Sequence, residues 1–188
     1  MNPKKIAEII WFTGMSGSGK TTHSKYLDAF FKKKGYVVKI LDGDEVRKND
    51  AKQLGFRYKD VQFNNHRIAA LCNENRNKFD VMIVPVISPY DKIRKEVRNL
   101  LSPMFHLVFL KAGIESLRSR DTKGLYAAAD RGEITDLIGY SRCNPYEVPI
   151  DAEVVVNTGM GSTVEESKQK LFGYINRFIF TRSRGVEK

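Results

Sequence analysis

Five short apolar runs divide the chain, and each is followed by a turn rich in glycine or polar residues. The runs that we interpret as buried β-strands cover residues 6–13, 36–41, 81–87, 106–110 and 153–156. Longer segments with helical spacing lie between or after them. The clearest predicted helices are residues 20–34, ending before Gly35, residues 91–101, and a last helix from the capping box Thr163-x-x-Glu166 to about Phe180.

This alternation of strands and helices predicts an α/β fold with a mainly parallel sheet flanked by helices. Parallel neighbours need crossover connections, and helices supply them. With 188 residues the chain fits one domain, which we assign to residues 1–188. Because ligands of such sheets bind at the carboxyl ends of the strands, we expect Gly14, Asp42 to Asp44 and Ser88 to be neighbours in space.

Two of the predicted helices carry apolar faces that we assign to the core. The residues on these faces are Tyr26, Leu27, Phe30 and Phe31 in the first helix, and Leu171, Tyr174, Ile175 and Phe178 in the last.

The segment 119–150 differs from the rest, because it is polar, contains glycine and proline, and has no sustained strand period. A surface excursion is one interpretation. We favour a mobile lid, since an enzyme that transfers phosphate must keep water away from it.

The turn after the first strand has the spacing G-x-x-x-x-G-K-T from Gly14 to Thr21, which is that of a phosphate-binding loop. Glycines let successive N–H groups point at phosphate oxygens, and the next helix adds its positive N-terminus. We predict that the loop binds ATP, with Lys20 at the β- and γ-phosphates and the Thr21 hydroxyl on Mg²⁺. The residues predicted to hold ATP are Gly14, Ser16, Gly17, Ser18, Gly19, Lys20, Thr21, Thr22 and Arg120.

Asp42 and Asp44 follow the second strand and are the candidate carboxylates of the site. Many phosphate-loop enzymes have a magnesium-binding aspartate after a later strand, but here the third strand ends at Ser88. An aspartate after the second strand can contact Mg²⁺ through water and accept the proton of an attacking hydroxyl. The alternative is that Asp42-Gly43-Asp44 only forms a turn.

The chain is basic, with a net charge of +10 and a pI near 9.6. We interpret its runs of basic residues as solvated faces and expect no nucleic-acid partner, since no recognition helix, zinc finger or aromatic RNA-binding motif accompanies the charge. Cys72 and Cys143 belong to no metal or redox motif, which fits a reducing cytoplasm. We expect no signal peptide and no membrane span, because the longest apolar run, 81–87, is too short to cross a bilayer.

The ordered set of motifs resembles the adenylyl-sulfate kinase (APS kinase) family from about Ile9 to Thr158. The matching stretches are residues 14–22, Leu41-Asp42-Gly43-Asp44 with Val46-Arg47, Leu54-Gly55-Phe56, Asp60, Asn64, Ile87-Ser88-Pro89-Tyr90, Arg120-Asp121, Lys123-Gly124-Leu125-Tyr126, Gly132-Glu133-Ile134 and Pro145-Tyr146-Glu147.

The resemblance implies a P-loop kinase that uses ATP and Mg²⁺ to phosphorylate the 3′-hydroxyl of adenylyl sulfate in sulfate assimilation. By analogy Asp42 is the base and an indirect contact to Mg²⁺, and Ser88 anchors substrate during direct in-line transfer, although the family carries a proposed phosphoserine role at this position. The residues that we assign to the acceptor are Asp44, Arg47, Phe56, Asn64, Arg67, Ile87, Ser88, Lys123 and Leu125. The family commonly forms dimers, so a homodimer is also expected.

Three departures from the family pattern concern the acceptor side. Val61 stands where the family has an arginine that contacts the anionic end of the substrate, and Leu137 where it has a phenylalanine that sandwiches adenine. The stretch between Gly139 and Pro145, which contains residues 141–144, is also about two residues longer than in the family. An alternative is therefore a kinase for another capped nucleotide, such as a cytidine 5′-diphosphate derivative used in surface-polysaccharide modification. A non-catalytic nucleotide- or nucleic-acid-binding module is the alternative of another class.

Overall fold

A computed structural model describes residues 6–48 and 54–184, with side chains up to residue 180. The strands are β1 (Glu8–Thr13), β2 (Val38–Ile40), β3 (Val81–Pro85), β4 (Phe105–Lys111) and β5 (Val154–Asn157). The helices are α1 (Lys20–Lys33), α2 (Gly43–Lys48), α3 (Tyr58–Asn75), α4 (Asp91–Leu101), α5 (Ile114–Arg120), α6 (Leu125–Asp130) and α7 (Val164–Arg184). Within the described residues no helix has the length and apolar composition needed to cross a membrane.

The five strands form one parallel sheet in the order β2-β3-β1-β4-β5, which confirms the predicted α/β fold. Each predicted strand is present. β2 is shorter than the run 36–41, because only Val38 to Ile40 pair with β3. β1 lies at the centre, so the loop that follows it opens at the middle of the carboxyl edge.

Alternate residues of β1 supply two cores on opposite faces of the sheet. Ile9 and Trp11 pack with α3 and α4, whereas Ile10 and Phe12 pack with α1 and α7. All four side chains are fully buried, which explains why the strand is a continuous apolar run and does not alternate with polar residues. Burial on both faces fixes the direction and depth of β1, and therefore the start of the loop at Gly14.

Helix α7 begins at the predicted capping box. The Thr163 N–H donates to Glu166 Oε2 (2.8 Å), and the Glu166 N–H donates to Thr163 Oγ1 (3.1 Å). Leu171 and Ile175 are buried as predicted. The prediction for Phe178 was wrong: its side chain is 45% exposed.

The two cysteines differ in their exposure to solvent, and this difference can be tested chemically. Both are free thiols; burial raises the pKa of Cys72 to about 12, and Cys143 is exposed. Because the thiolate is the reactive form, we expect a colorimetric thiol reagent at pH 8 to modify one thiol in the native protein and two after unfolding. Rapid modification of two thiols in the native state would contradict the packing of α3. Cys143→Ser is the control that should leave no reactive native thiol.

Candidate active site

The loop between β1 and α1 has the backbone conformation of a phosphate cradle. Gly14, Gly17 and Gly19 have φ values of +151°, +74° and +93°, a range that favours glycine. A Cβ at Gly14 would lie 2.7 Å from the Leu110 carbonyl oxygen, so backbone contact also restricts this position. The loop then leads directly into the N-terminus of α1.

Lys20 is held inside this loop. Its Nζ donates to the carbonyl oxygens of Gly14 and Met15, each at 2.8 Å. Burial lowers its pKa to about 8, although the charges of Asp44 and Asp42 act in the opposite direction. Among the described residues the direct partners of the ammonium group are neutral carbonyl groups, so it is available to an anion.

A cavity of about 690 Å³ lies over the loop, and we call it the loop cavity. Eight of the nine residues predicted to hold ATP line it, Gly14 being the exception, and Asp42 and Asp44 border it too. Arg120 lies at its rim, where its guanidinium donates to the carbonyl oxygens of Gly17 (3.4 Å) and Thr158. The structure thus brings together the loop, α5 and the segment that follows β5.

Sequence reasoning missed one wall of the loop cavity, residues 158–164, which run from the end of β5 to the first residue of α7. The Thr158 hydroxyl donates to the Ser18 carbonyl (3.0 Å), and the Met160 N–H donates to Ser116 Oγ (2.8 Å). The available signal was the polar, glycine-containing turn after a buried strand, which is the same signal that identified the Asp42 turn.

Asp42 precedes α2, and its Oδ1 accepts a hydrogen bond from the Asp44 N–H at 2.8 Å. The turn interpretation and the site interpretation are therefore compatible, since the same carboxylate supports the turn and borders the loop cavity. Among the described residues no group of three or more His, Cys, Asp or Glu side chains is arranged to hold a metal. Mg²⁺ that is bound to substrate phosphates usually has few protein ligands and keeps several waters. Thr21 and Asp42 are sufficient for a site of this kind.

Lys123 connects the segment 119–150 to the site. Its Nζ lies 2.7 Å from Asp44 Oδ2, and the two side chains are 57% and 60% exposed. Desolvation would raise the pKa of Asp44, but the hydrogen bond and charge of Lys123 outweigh it, so this pKa lies below its usual value. Asp44 is therefore ionised at neutral pH and binds Lys123 in that form.

A second cavity of about 460 Å³ adjoins the loop cavity, and we call it the Phe56 cavity. Its lining is Ser16, Asp44, Arg47, Lys48, Phe56, Ile87, Lys123, Leu125, Ile134, Leu137 and Ile138. The Arg47 guanidinium lies 5.0 Å from the centre of the Phe56 ring. The cavity combines one aromatic face, cationic side chains and an apolar wall.

A small recess of about 20 Å³ extends from this region, and we call it the Ser88 recess. Three oxygens of its lining residues are buried and have no hydrogen-bond partner in the described part of the chain: Asn64 Oδ1, Asn65 Oδ1 and Ser88 Oγ. Val61, 1% exposed, forms its apolar side. Ser88 also has a φ of +45°, which is unusual for a residue other than glycine. The recess therefore offers uncharged polar groups beside a hydrophobic surface, and the charged residues Asp44 and Arg47 also line it.

The acceptor residues predicted from the sequence gather in the Phe56 cavity and the Ser88 recess, with one exception. Arg67 lines none of the three cavities described, and its Nη1 lies 3.5 Å from the Val46 carbonyl oxygen. Leu137 lies in the wall of the Phe56 cavity, as expected if it replaces an aromatic residue there.

Comparison with known proteins identifies the family of this chain. The family profile described as adenylylsulphate kinase matches residues 6–157. The chain belongs to the adenylylsulphate kinase family. An adenylyl-sulfate kinase of Rippkaea orientalis is 40% identical over 169 residues, covering 90% of this chain and 91% of that protein. A probable bifunctional SAT/APS kinase 2 of Sorangium cellulosum is also 40% identical, over 178 residues, but this chain (95% of it) matches only 30% of that longer protein.

Solved structures extend the family relationship to the backbone. The structure of the Mycobacterium tuberculosis APS kinase CysC in complex with AMPPNP and APS has a TM-score of 0.80 to this chain. The two share 28% sequence identity, and the alignment covers 91% of this chain and 98% of that one. The adenylylsulphate kinase fold therefore extends over nearly the whole chain.

Proposed function

We propose that this protein transfers the γ-phosphate of ATP to the 3′-hydroxyl of adenylyl sulfate. The observation that carries the proposal is the meeting of the loop cavity and the Phe56 cavity, which share the residues Ser16, Asp44, Ile87 and Lys123. Phosphoryl transfer requires two bound substrates whose reacting atoms are adjacent. Two cavities that share a border, in which Ser16, Asp44 and Lys123 are polar or charged, provide this arrangement.

ATP is assigned to the loop cavity. The N–H groups of the loop and the N-terminus of α1 favour its phosphates, and Lys20 is placed to neutralise them. Mg²⁺, when bound, neutralises the charge that develops on the transferred phosphate, with Thr21 as the proposed direct ligand and Asp42 as the contact through water.

Asp42 is the proposed general base for the acceptor hydroxyl, because it borders the loop cavity and has a free lone pair besides the hydrogen bond to the Asp44 N–H. Direct transfer is supported by the burial of Ser88, whose Oγ has almost no accessible surface. No charged base donates to or accepts from this hydroxyl in the described structure. Ser88 is therefore assigned to the wall of the acceptor site, where it lines the Ser88 recess.

The acceptor nucleotide is assigned to the Phe56 cavity. Phe56 provides one face for base stacking, and Arg47 and Lys123 provide positive charge for the anionic group. Asn64, Ile87 and Leu125 complete the proposed binding surface. The same arrangement supports two nucleotides as partners of this chain. A cytoplasmic location and a homodimer remain predictions. Light scattering tests the homodimer.

A second candidate acceptor is favoured by two side chains. Val61 gives the Ser88 recess an apolar side, which leaves Arg47 as the one cationic residue in its described lining. Leu137 gives the Phe56 cavity a second wall without an aromatic face. Loss of one stacking face removes about 1–3 kcal/mol of base binding. A nucleotide with a different base or a less anionic 5′ group, such as a cytidine 5′-diphosphate derivative, is compatible with these surfaces.

Turnover with a panel of nucleotides tests both candidates. The protein is incubated with ATP, Mg²⁺ and either adenylyl sulfate or a cytidine 5′-diphosphate derivative, and ADP formation is followed. We expect turnover with adenylyl sulfate and a 3′-phosphorylated product. Turnover only with the cytidine compound would replace the first candidate by the second, and ADP formation with neither would contradict both. Lys20→Met is the inactive control for contaminating kinases.

A further inference from the structure

Arg94 is a charged side chain in the interior of the protein. It lies on α4, and the residue is only 2% exposed. A buried guanidinium requires hydrogen-bond partners, because its removal from water is unfavourable. Arg94 borders none of the three cavities, so any part it takes in the reaction passes through the residues that it holds.

Its partners belong to two segments that are far apart in the sequence. Nη1 donates to the Ser88 carbonyl (2.9 Å), and Nη2 donates to the Glu147 carbonyl (2.8 Å). Nη2 also lies 3.4 Å from Asp91 Oδ1, and the guanidinium lies 5.9 Å from the centre of the Tyr146 ring. One side chain thus joins the loop after β3 to the end of the segment 119–150.

Further hydrogen bonds join the same two segments. The Glu147 N–H donates to the Pro89 carbonyl (2.9 Å), and the Asp91 N–H donates to Glu147 Oε2 (2.6 Å). The Tyr90 hydroxyl donates to Asn144 Oδ1 (3.2 Å). Residues 88–91 and 144–147 therefore form one connected unit, with Arg94 on its buried side.

The Ser88 backbone needs such support. Its φ of +45° is sparsely populated for serine, and a conformation of this kind persists only when the surroundings hold it. The Ser88 carbonyl accepts from Arg94 and from the Thr13 hydroxyl (3.1 Å). Both donors also contact residues 144–147: Arg94 donates to the Glu147 carbonyl, and the Thr13 hydroxyl lies 2.8 Å from the Tyr146 hydroxyl. Of the two, Arg94 is the charged side chain.

We propose that Arg94 is a positioning residue that fixes Ser88, and with it the acceptor side of the site, against residues 144–147. This inference rests on the proposed function, because it assigns Ser88 and Ile87 to the acceptor. Loss of the guanidinium releases Ser88 from its φ of +45° and shifts the wall that Ile87 and Ser88 form. The hydrogen bonds of Lys20 to the Gly14 and Met15 carbonyls do not involve Ser88, so the nucleotide loop continues to bind ATP.

Arg94→Met and Arg94→Lys test this inference, with Arg98→Met as the matched control. Arg98 lies one turn further along α4, donates to the Asp151 carbonyl (2.9 Å), pairs with Glu153 and lies 5.1 Å from the centre of the Phe105 ring. It is thus a comparable anchor without contact to Ser88. The measurements are kcat and KM for adenylyl sulfate and for ATP, the Kd of a non-hydrolysable ATP analogue, and the thermal midpoint.

We expect Arg94→Met to lower kcat/KM for adenylyl sulfate at least tenfold while the Kd of the ATP analogue changes less than twofold. Arg94→Lys should recover part of the loss, since a lysine retains the charge and one hydrogen bond. Arg98→Met should lower the thermal midpoint and leave kcat/KM within threefold of wild type. Equal losses for Arg94→Met and Arg98→Met, or an acceptor kcat/KM within threefold in Arg94→Met, would overturn the proposal.

Hydrogen exchange supplies a readout that does not depend on activity. The Glu147 amide, bound to the Pro89 carbonyl, should exchange faster in Arg94→Lys than in wild type and remain protected in Arg98→Met. Unchanged protection in Arg94→Lys would overturn the proposal even if Arg94→Met fails to fold. Absence of turnover in the wild-type protein would instead contradict the proposed function, so the two failures are distinct.

Discussion

Replacement of Asp42 by asparagine is expected to lower kcat by about 10²–10⁴-fold, the usual contribution of a positioned general base. The substitution removes the proton acceptor and the negative charge near Mg²⁺. It retains an oxygen at the position that accepts the Asp44 N–H, and asparagine supports such turns about as well as aspartate. The thermal midpoint and the affinity for an ATP analogue should therefore stay close to those of wild type.

The comparison with Asp42→Ala separates chemistry from local folding. Alanine removes the oxygen as well, and the loss of such a support costs about 1 kcal/mol of stability. We expect both variants to be equally inactive in an assay of ADP formation, with only the alanine variant less stable. If Asp42→Asn retained more than a tenth of the wild-type kcat, Asp42 would not be the base.

The second large effect is expected at Gly14, where the added methyl group of Gly14→Ala has no space. The new Cβ would lie 2.6 Å from Ser18 Oγ and 2.7 Å from the Leu110 carbonyl oxygen. Strained backbone of this kind costs about 1–3 kcal/mol, and the loop must also move away from β4. We expect the affinity for an ATP analogue to fall by at least about tenfold, measured by titration calorimetry.

Gly17→Ala is the matched control within the same loop. Gly17 also has a positive φ, +74°, but its nearest neighbour would be Leu117 Cδ2 at 3.8 Å. The expected loss is therefore limited to about 1–2 kcal/mol from the left-handed conformation. An affinity loss for Gly14→Ala no greater than that for Gly17→Ala would mean that contact with the Leu110 carbonyl does not set the loop conformation.

The strands could be predicted from the sequence because a parallel sheet buried on both faces leaves continuous apolar runs. Helix α3 was not predicted, although it has 18 residues. Its buried face includes Asn64 and Asn65, whose polar side chains interrupt the apolar period. Helix α6, from Leu125 to Asp130, is too short for periodicity to be detected. Helix prediction thus failed where buried positions are polar or the element is short.

The candidate site likewise has parts that could be predicted from the sequence and parts that could not. The phosphate loop could be predicted because its glycines and Lys20 are demanded by the backbone and by charge. The wall formed by residues 158–164 was not assigned to the site, because its small polar residues have no distinctive chemistry beyond the turn signal after β5. The role of Arg94 was equally hidden, because it depends on contact with Glu147, 53 residues away. Such tertiary contacts leave no local pattern.

Asp44 borders all three cavities and forms an ion pair with Lys123. This ion pair can therefore link the binding of the two nucleotides. If either nucleotide rearranges the pair, the binding free energies of both are linked, and each must change the affinity of the other by the same factor. An ion pair this exposed contributes about 1 kcal/mol at most. Cooperativity between donor and acceptor transmitted through it is therefore limited to about fivefold and decreases as ionic strength rises.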